Sequence, residues 1–522
     1  MRLALSLALA IGLLSGSATV TSALERLNFS WPVNVGPLNP HLYTPNQMFA
    51  QSMVYEPLVR YGKDGTLEPW LAESWEVSGD GRAYTFHLRQ GVTFSNGETF
   101  DAEAVVANFE AILANRERHA WLELANQIEK AEALDDHRVR LTLKDSYYPV
   151  LEELALPRPF RFVAPSQFVD GGTMDGIAAP IGTGPFVLAE TRLGEHDLFR
   201  RNETYWGKAP ALDEVDVKVI PDPNSRAIAL QTGEIDLIYG ADGPISPDSF
   251  KRFEAMDGYV TALSPPYETR TFALNTNRGP TRDIAVRKAI NHAVDKDTMI
   301  SAVLSGTHER ADTLFEPGVP YADIGLKPYA FDPVLAERLL DEAGWTRQDG
   351  GTRSRDGEPL RIELCFTGND AVLKSMAEIV QADLARIGIA VELVGEEESS
   401  VYARQRDGRF GMIFNTTWGK LYDPHAFLSA MRVPAHADYQ AQLGLDDKAE
   451  IDGKIGKVLV TRNEEERRAL YREIITRLHD AAVYLPLVYT NAMLVARPGL
   501  GKVPFGALSS EVPFEAIEPG DL

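Results

Sequence analysis

Residues 65–113 run GTLEPWLAESWEVSGDGRAYTFHLRQGVTFSNGETFDAEAVVANFEAIL, and their patterning sets the fold class. Gly79-Asp80-Gly81 is a turn signal. Beyond it Tyr84, Phe86 and Leu88 alternate with Thr85 and His87, as a half-buried strand requires, which turns His87 to solvent. Asp101 then stands where a helix N-cap belongs, and Val105, Val106, Phe109, Ile112 and Leu113 recur at helical spacing. Strand and helix in succession, without internal repeats or low-complexity tracts, predict an α/β protein.

The same logic extends outward. Residues 284–304 predict one helix, with Val286, Ile290, Ala293 and Val294 on a stripe and His292 beside it. Residues 331–345 predict another, with Asp332 as cap, Pro333 at the first helical position and Gly344 as the stop. Segments 374–394 and 464–489 each predict a helix followed by a strand; Gly388 breaks the first. In the second, His479 falls late in the helix, where a positive charge suits the dipole. GTGPF (182–186) lacks the third glycine of a phosphate loop and carries Pro185, so it predicts a tight turn before a strand. The acidic run EEESS (396–400) predicts a solvated loop rather than a set of hard-metal ligands.

At 522 residues the chain exceeds what one hydrophobic core supports. The extended stretches PPYETRTFALNT (265–276) and YLPLVYTNAMLVA (484–496) are candidate crossovers between two lobes. They divide the chain into a lobe of 24–267 with a C-terminal return of 491–522, and a second lobe of 268–490. Two strand-like hinges allow closure around a ligand.

The N-terminus predicts export. LALSLALAIGLL (3–14) is too short to span a bilayer, and the small residues GSATVTSA (16–23) suit cleavage near Ala23, so 1–23 is a Sec-type signal peptide. Cys365 is the single cysteine; no cysteine stands at the junction to carry a lipid, and no internal disulfide can form. The expectation is a soluble, unlipidated protein of a Gram-negative periplasm. With 52 basic against 75 acidic residues the net charge is −23, which excludes nucleic acid as a partner because no basic excess neutralises phosphates.

Reactive constellations are missing from the sequence: no G-x-S-x-G elbow, no H-E-x-x-H, no P-loop. A binding protein rather than an enzyme is expected. The ten histidines show no paired spacing that would build a metal site alone.

Residues 65–113, GTGPF, RNETYWG (201–207), AVRKAINHAVDKDTMI and DPVLAERLLDEAGW together resemble the peptide/nickel family (family 5) of extracytoplasmic solute-binding proteins, which feed ABC importers. The resemblance runs collinearly along the whole mature chain. It implies a two-lobed periplasmic-binding-protein fold (class II, large cluster-C type) with two interlobe crossover strands. It also implies the inner-membrane permease subunits as partners and a monomeric state.

Within the family, five stretches resemble its nickel-binding branch: 31–59, RERHAWLELANQI (116–128), ELALPRPFRF (153–162), YARQRDGRFGMIF (402–414) and YDPHAFLSAMRVPAHADYQAQ (422–442). Dipeptide-binding relatives carry an aspartate three residues before an Asp-Pro pair, where it receives the peptide ammonium. Here the pair is Asp423-Pro424 and the earlier residue is Lys420, whose like charge would repel an ammonium by several kcal/mol at close, dry range.

On residue type alone the tryptophans and Met48 suit a core, Arg158 a brace between prolines, and His436 an exposed loop. The resemblance assigns them otherwise. His436 matches the nickel ligand of that branch, and one imidazole cannot satisfy a metal that prefers four to six donors. The remaining donors would come with a small chelator, free histidine or a polycarboxylate. Arg158 matches the arginine that grips chelator carboxylates, and Arg118 a second pocket arginine. Tyr43, Met48, Trp121, Trp418 and Tyr422 match the pocket wall; Ser510 stands where that branch has threonine, keeping the hydroxyl. His425 is expected to support the loop, with His41 and His119 as outer neighbours.

The implied function is capture of Ni(II) as a chelate for an importer. The alternatives are peptide binding, haem or iron-chelate binding by the same aromatic pocket, and an exported metal-dependent hydrolase.

Overall fold

The computed structural model describes residues 26–43, 47–62, 65–241, 243–347 and 351–518; the expected signal peptide, 1–23, lies outside the described residues. The strand after the Gly79–Gly81 turn is Ala83–Leu88, with Tyr84, Phe86 and Leu88 buried as the alternation requires. It lies second in a four-stranded sheet, between Ala72–Val77 and Arg138–Leu143, with Ile128–Asp135 on the far edge. The helix that follows is Ala102–Ala114, and the Asp101 carboxylate accepts the Ala104 N–H at 2.9 Å. Asp332 caps Pro333–Glu342 in the same way, accepting from Leu335 at 2.8 Å.

A second four-stranded sheet pairs Arg26–Trp31 in parallel with Glu214–Val219 and continues through His196–Arg201 to Phe186–Arg192. A three-stranded sheet holds Leu237–Gly240, Met493–Ala496 and Val260–Leu263. The six-stranded sheet is built from Glu309–Arg310, Tyr484–Thr490, Glu268–Leu274, Met412–Thr416, Arg361–Thr367 and Ala390–Glu396, in that order.

The two extended stretches run between these last two sheets. Val260–Leu263 and Met493–Ala496 pair antiparallel in one, and their continuations Glu268–Leu274 and Tyr484–Thr490 pair antiparallel in the other. Where the chain passes between sheets, Ser264 and Ala492 share a backbone bond of 3.0 Å. The Asn491 side chain donates to Ser264 O at 2.5 Å and the Ala492 N–H to Ser264 Oγ at 2.8 Å. The largest apolar cluster joins distant parts of the chain, packing residues of 58–164 with Phe410, Phe427, Met431, Tyr471 and Tyr484, while separate clusters form around Leu274 and Met376 and around Phe29 and Phe49.

Several signature segments meet at one buried carboxylate. Glu56 accepts from Trp70 Nε1 at 2.7 Å and Tyr205 Oη at 2.9 Å on one oxygen, and from Trp206 Nε1 and Thr183 Oγ1, both at 2.8 Å, on the other. GTGPF is a turn before the strand Phe186–Arg192, and its glycines are there for contact. A Cβ on Gly182 would lie 2.1 Å from Val54 O, and one on Gly184 2.5 Å from Met53 O.

Three local expectations are corrected. Residues 284–304 form two helices, Ile284–Ala293 and Lys296–Ala302, because Asp295 caps the second through Thr298 N. EEESS is no loop: Glu396 ends a strand and binds Arg404 at 2.6 and 2.8 Å, and Glu398 begins the helix Glu398–Asp407. Burial lowers the His479 pKa, so its ring serves as a hydrogen-bonding group to Lys327 O at 2.9 Å rather than as a charge on the helix end.

Candidate functional site

The loop carrying Trp418 is shaped by its own backbone. Gly419 has φ of 98°, a conformation that L side chains resist, and its carbonyl accepts the N–H groups of Tyr422 and Asp423, both at 2.9 Å. The buried Asp423 carboxylate closes the loop by accepting from Trp418 N at 3.3 Å and Gly419 N at 3.1 Å; burial pushes its pKa up to about 7 against these donors. Thr417 and Lys420 bond to Thr269 O and Tyr267 O at 3.0 and 3.1 Å, which fastens the loop to a crossover strand.

Seven of the residues singled out in the sequence come together here: Tyr43, Arg118, Trp121, Arg158, Trp418, Tyr422 and His436. Trp121 lies edge-on to Trp418 with ring centroids 5.5 Å apart and 6.5 Å from Tyr422. Trp418 continues the row to the His436 imidazole at 5.8 Å. On the other side Tyr43 packs edge-on to Trp121 at 5.9 Å. The Arg158 guanidinium sits 4.6 Å and that of Arg118 5.5 Å from the Tyr43 ring centroid. Arg158 also donates to Tyr43 O at 3.4 Å.

The wall is therefore assembled from segments far apart in the chain: Tyr43 on an N-terminal loop, Arg118 on the short turn Arg116–His119, and Trp418 to His436 on the second block.

The charges are arranged unevenly. Burial lowers the Arg158 pKa, with Tyr422 and Tyr43 opposing it, and among the described residues neither Arg158 nor Arg118 forms an ion pair with a carboxylate. Burial raises the Tyr43 pKa and pushes that of Tyr422 up to about 12, so both stay neutral hydroxyls. His436 caps the helix Ala437–Gln442 by position; burial lowers its pKa and Asp438 opposes that. Asp438, unread in the sequence, is a buried carboxylate holding Tyr484 Oη and Asn415 Nδ2, each at 2.8 Å. Its signal was only a carboxylate two residues beyond the histidine.

Met48 and Ser510 come together in the lining of a cavity of about 270 Å³, with Trp31, Arg226 and Tyr239; that lining shares no residue with the seven. A cavity of about 750 Å³ bordered by Glu56, Arg161, Tyr205 and Glu511 likewise shares none. His425 is buried beside Glu153 and Tyr148. His41 bonds to Thr173 Oγ1 and Arg161 O, both at 2.9 Å. Among the described residues no three His, Cys, Asp or Glu side chains converge as a metal site.

Comparison with known proteins bears on what such an arrangement does. Residues 66–439 match the family described as bacterial extracellular solute-binding proteins, family 5 middle. The chain is 60% identical over 499 residues to the nickel-binding periplasmic protein of Escherichia coli (strain K12), covering 95% of each. It is 28% identical over 486 residues to heme-binding protein A of Haemophilus influenzae, covering 88% of this chain and 86% of that one. Among solved structures, NikA from Brucella suis in complex with Fe(III)-EDTA superposes with a TM-score of 0.94 at 68% identity, over 95% of this chain and 100% of that one.

Proposed function

The chain belongs to the family 5 bacterial extracellular solute-binding proteins, and from that premise we propose that it captures Ni(II) as a complex with a small chelator for an ABC importer. It is a binding protein and not an enzyme. One observation carries the choice of cargo. Two guanidiniums that pair with no carboxylate among the described residues flank an aromatic wall that ends on a single imidazole. A bare divalent ion gains nothing from two arginines. A metal chelate does, because its carboxylates take the guanidinium hydrogen bonds while its own donors fill the metal.

On this reading His436 supplies the protein's one bond to nickel through a neutral ring nitrogen, and Arg158 receives a chelator carboxylate in a two-bond fork. Arg118, more exposed, adds longer-range attraction. Trp121, Trp418 and Tyr422 exclude water around the complex, and Tyr43 carries the arginines. Met48 and Ser510 line the separate cavity and take no direct part in this capture. Lobes of 24–267 with 491–522 and of 268–490 close on the cargo, and the monomer then presents both to the permease subunits. Residues 1–23 direct export to the periplasm without lipidation. The chelator is free histidine or a polycarboxylate, and the relative named for EDTA-bound iron supports a site that accepts polycarboxylates.

The test is nickel retention after desalting, with and without L-histidine, for the wild type and His436→Ala. Retention that depends on histidine and falls in the variant is expected. Equal retention in the variant overturns the role of His436, and equal retention without histidine overturns the chelator. Calorimetry with dipeptides and titration with haem should show neither competing with the nickel–histidine complex. Release of product from peptide or ester substrates that EDTA abolishes would point to the hydrolase instead.

A further inference from the structure

The Tyr43 hydroxyl lies between two nitrogens, 2.7 Å from Trp121 Nε1 and 2.6 Å from His119 Nδ1. An indole N–H can only donate, so the Tyr43 oxygen accepts from Trp121. The Tyr43 hydroxyl hydrogen has no other acceptor among the described residues, so donation to His119 Nδ1 is the arrangement that leaves it paired, and it requires the tautomer with Nδ1 unprotonated. In that arrangement the imidazole is neutral, with its proton on Nε2, an atom buried without a partner among the described residues. Chemistry sets the Trp121-to-Tyr43 half of this relay, and the Nε2–H tautomer of His119 completes it.

His119 is fully buried at the end of the turn Arg116–His119 and meets the Tyr43 ring edge-on at 5.5 Å. Burial, with His41 and Arg118 nearby, lowers its pKa to about 4, which keeps the ring neutral at neutral pH. Tyr43 in turn touches Arg158 twice, through its ring face and through its carbonyl oxygen. Whatever sets the rotation of the Tyr43 ring therefore sets the surface on which the guanidinium rests.

We propose that His119 is a positioning residue for ligand capture: by accepting the Tyr43 hydroxyl it holds the ring that orients Arg158 toward the chelator carboxylate. The inference rests on the nickel–chelate reading above and adds to it a residue that touches neither metal nor chelator.

The experiment is a double-mutant cycle, His119→Phe, Tyr43→Phe and both together, read as affinity for the nickel–L-histidine complex by calorimetry, with thermal unfolding alongside. Either single change should weaken binding about tenfold, the scale of one lost buried hydrogen bond. The double variant should be no more than about twofold weaker than either, because both changes remove the same bond. His119→Asn, whose side-chain oxygen can stand near the position of Nδ1, should recover most of the loss.

A full His119→Phe effect persisting in the Tyr43→Phe background makes the histidine a packing residue and overturns the proposal, as does wild-type affinity in Tyr43→Phe. If His119→Phe does not fold, Tyr43→Phe and His119→Asn still decide it. Arg158→Met separates the two failures. Wild-type protein that does not bind nickel–histidine sinks the underlying reading. Binding lost in Arg158→Met but intact in His119→Phe and Tyr43→Phe sinks only the role of His119.

Discussion

Glu56 and Arg158 are both ionisable groups withdrawn from water, and the protein treats them in opposite ways. Four donors from three other segments converge on the Glu56 carboxylate, and their hydrogen bonds oppose the burial that raises its pKa. Arg158 receives a ring face and one long bond to a backbone carbonyl, and burial lowers its pKa with only Tyr422 and Tyr43, and no carboxylate among the described residues, to oppose it. A framework group is one whose hydrogen bonds are completed inside the chain. A recognition group is left with donors that the chain itself does not use. The contrast, rather than concavity, singles out the proposed site, because the cavities bordered by Glu56 and by Met48 share none of its residues.

The largest effect that would break this contrast is Glu56→Ala. Removing the carboxylate strands the indole N–H groups of Trp70 and Trp206 and the hydroxyls of Tyr205 and Thr183. At roughly 1–3 kcal/mol for each buried polar group left unpaired, with some relaxation, the loss is on the order of 5 kcal/mol in denaturant unfolding. Glu56→Gln keeps one acceptor oxygen and should cost about half as much. Folded protein of either variant should bind the nickel chelate within about twofold of the wild type.

Arg158→Met should do the reverse. Losing a charge-assisted fork on a carboxylate is worth about 3 kcal/mol, or roughly 100-fold in affinity for nickel–histidine by calorimetry. Stability should not fall, since a buried guanidinium with no acid partner is being replaced by an apolar chain of similar length. Arg158→Lys, which keeps charge but loses the planar fork, should fall between. A stability loss as large as that of Glu56→Ala would place Arg158 in the framework and erase the distinction.

Legibility in the sequence followed range. The helices Ala102–Ala114 and Pro333–Glu342 were readable because cap and apolar stripe lie within one short window. The run 284–304 was misread for the same reason in reverse: its apolar stripe continues through Val294, and only the cap at Asp295 divides it. The Glu56 cluster was invisible, because Trp70, Thr183, Tyr205 and Trp206 carry no local sign of a shared acceptor. The seven residues of the wall were found by resemblance and not by spacing; no periodicity links Tyr43 to Trp121 or His436. The role of Asp438 and the contact between Tyr43 and His119 show only in the folded chain, since both depend on which atom faces which.

His425, at the start of the helix His425–Ala430, and His436, eleven positions on, carry the contrast into one segment. His425 is packed edge-on to Tyr148 with Nε2 3.8 Å from a Glu153 oxygen, a spacing that looks like an ion pair. It is not one. Burial pushes His425 down to about 3 and Glu153 up to about 8, so at neutral pH both are uncharged, and Glu153 is held by Tyr147 and the Leu124 N–H.

A histidine whose folded pKa lies below its unfolded value binds fewer protons folded than unfolded. Its contribution is therefore intact above about pH 6.5 and lost as pH falls toward 3. Glu153 titrates with the opposite sign, losing stability as pH rises from about 4 to 8, so the wild-type profile alone does not isolate either group. Comparison with His425→Gln does. Between pH 7.5 and 4.5 the wild type should lose roughly 2–3 kcal/mol relative to the variant, at about 1.4 kcal/mol per pH unit below 6.5. Parallel profiles would mean that His425 carries its proton in the fold and pairs with an ionised Glu153. The helix His425–Ala430 would then begin on a buried charge pair, and His425 would join the framework through an acid partner rather than as a neutral ring.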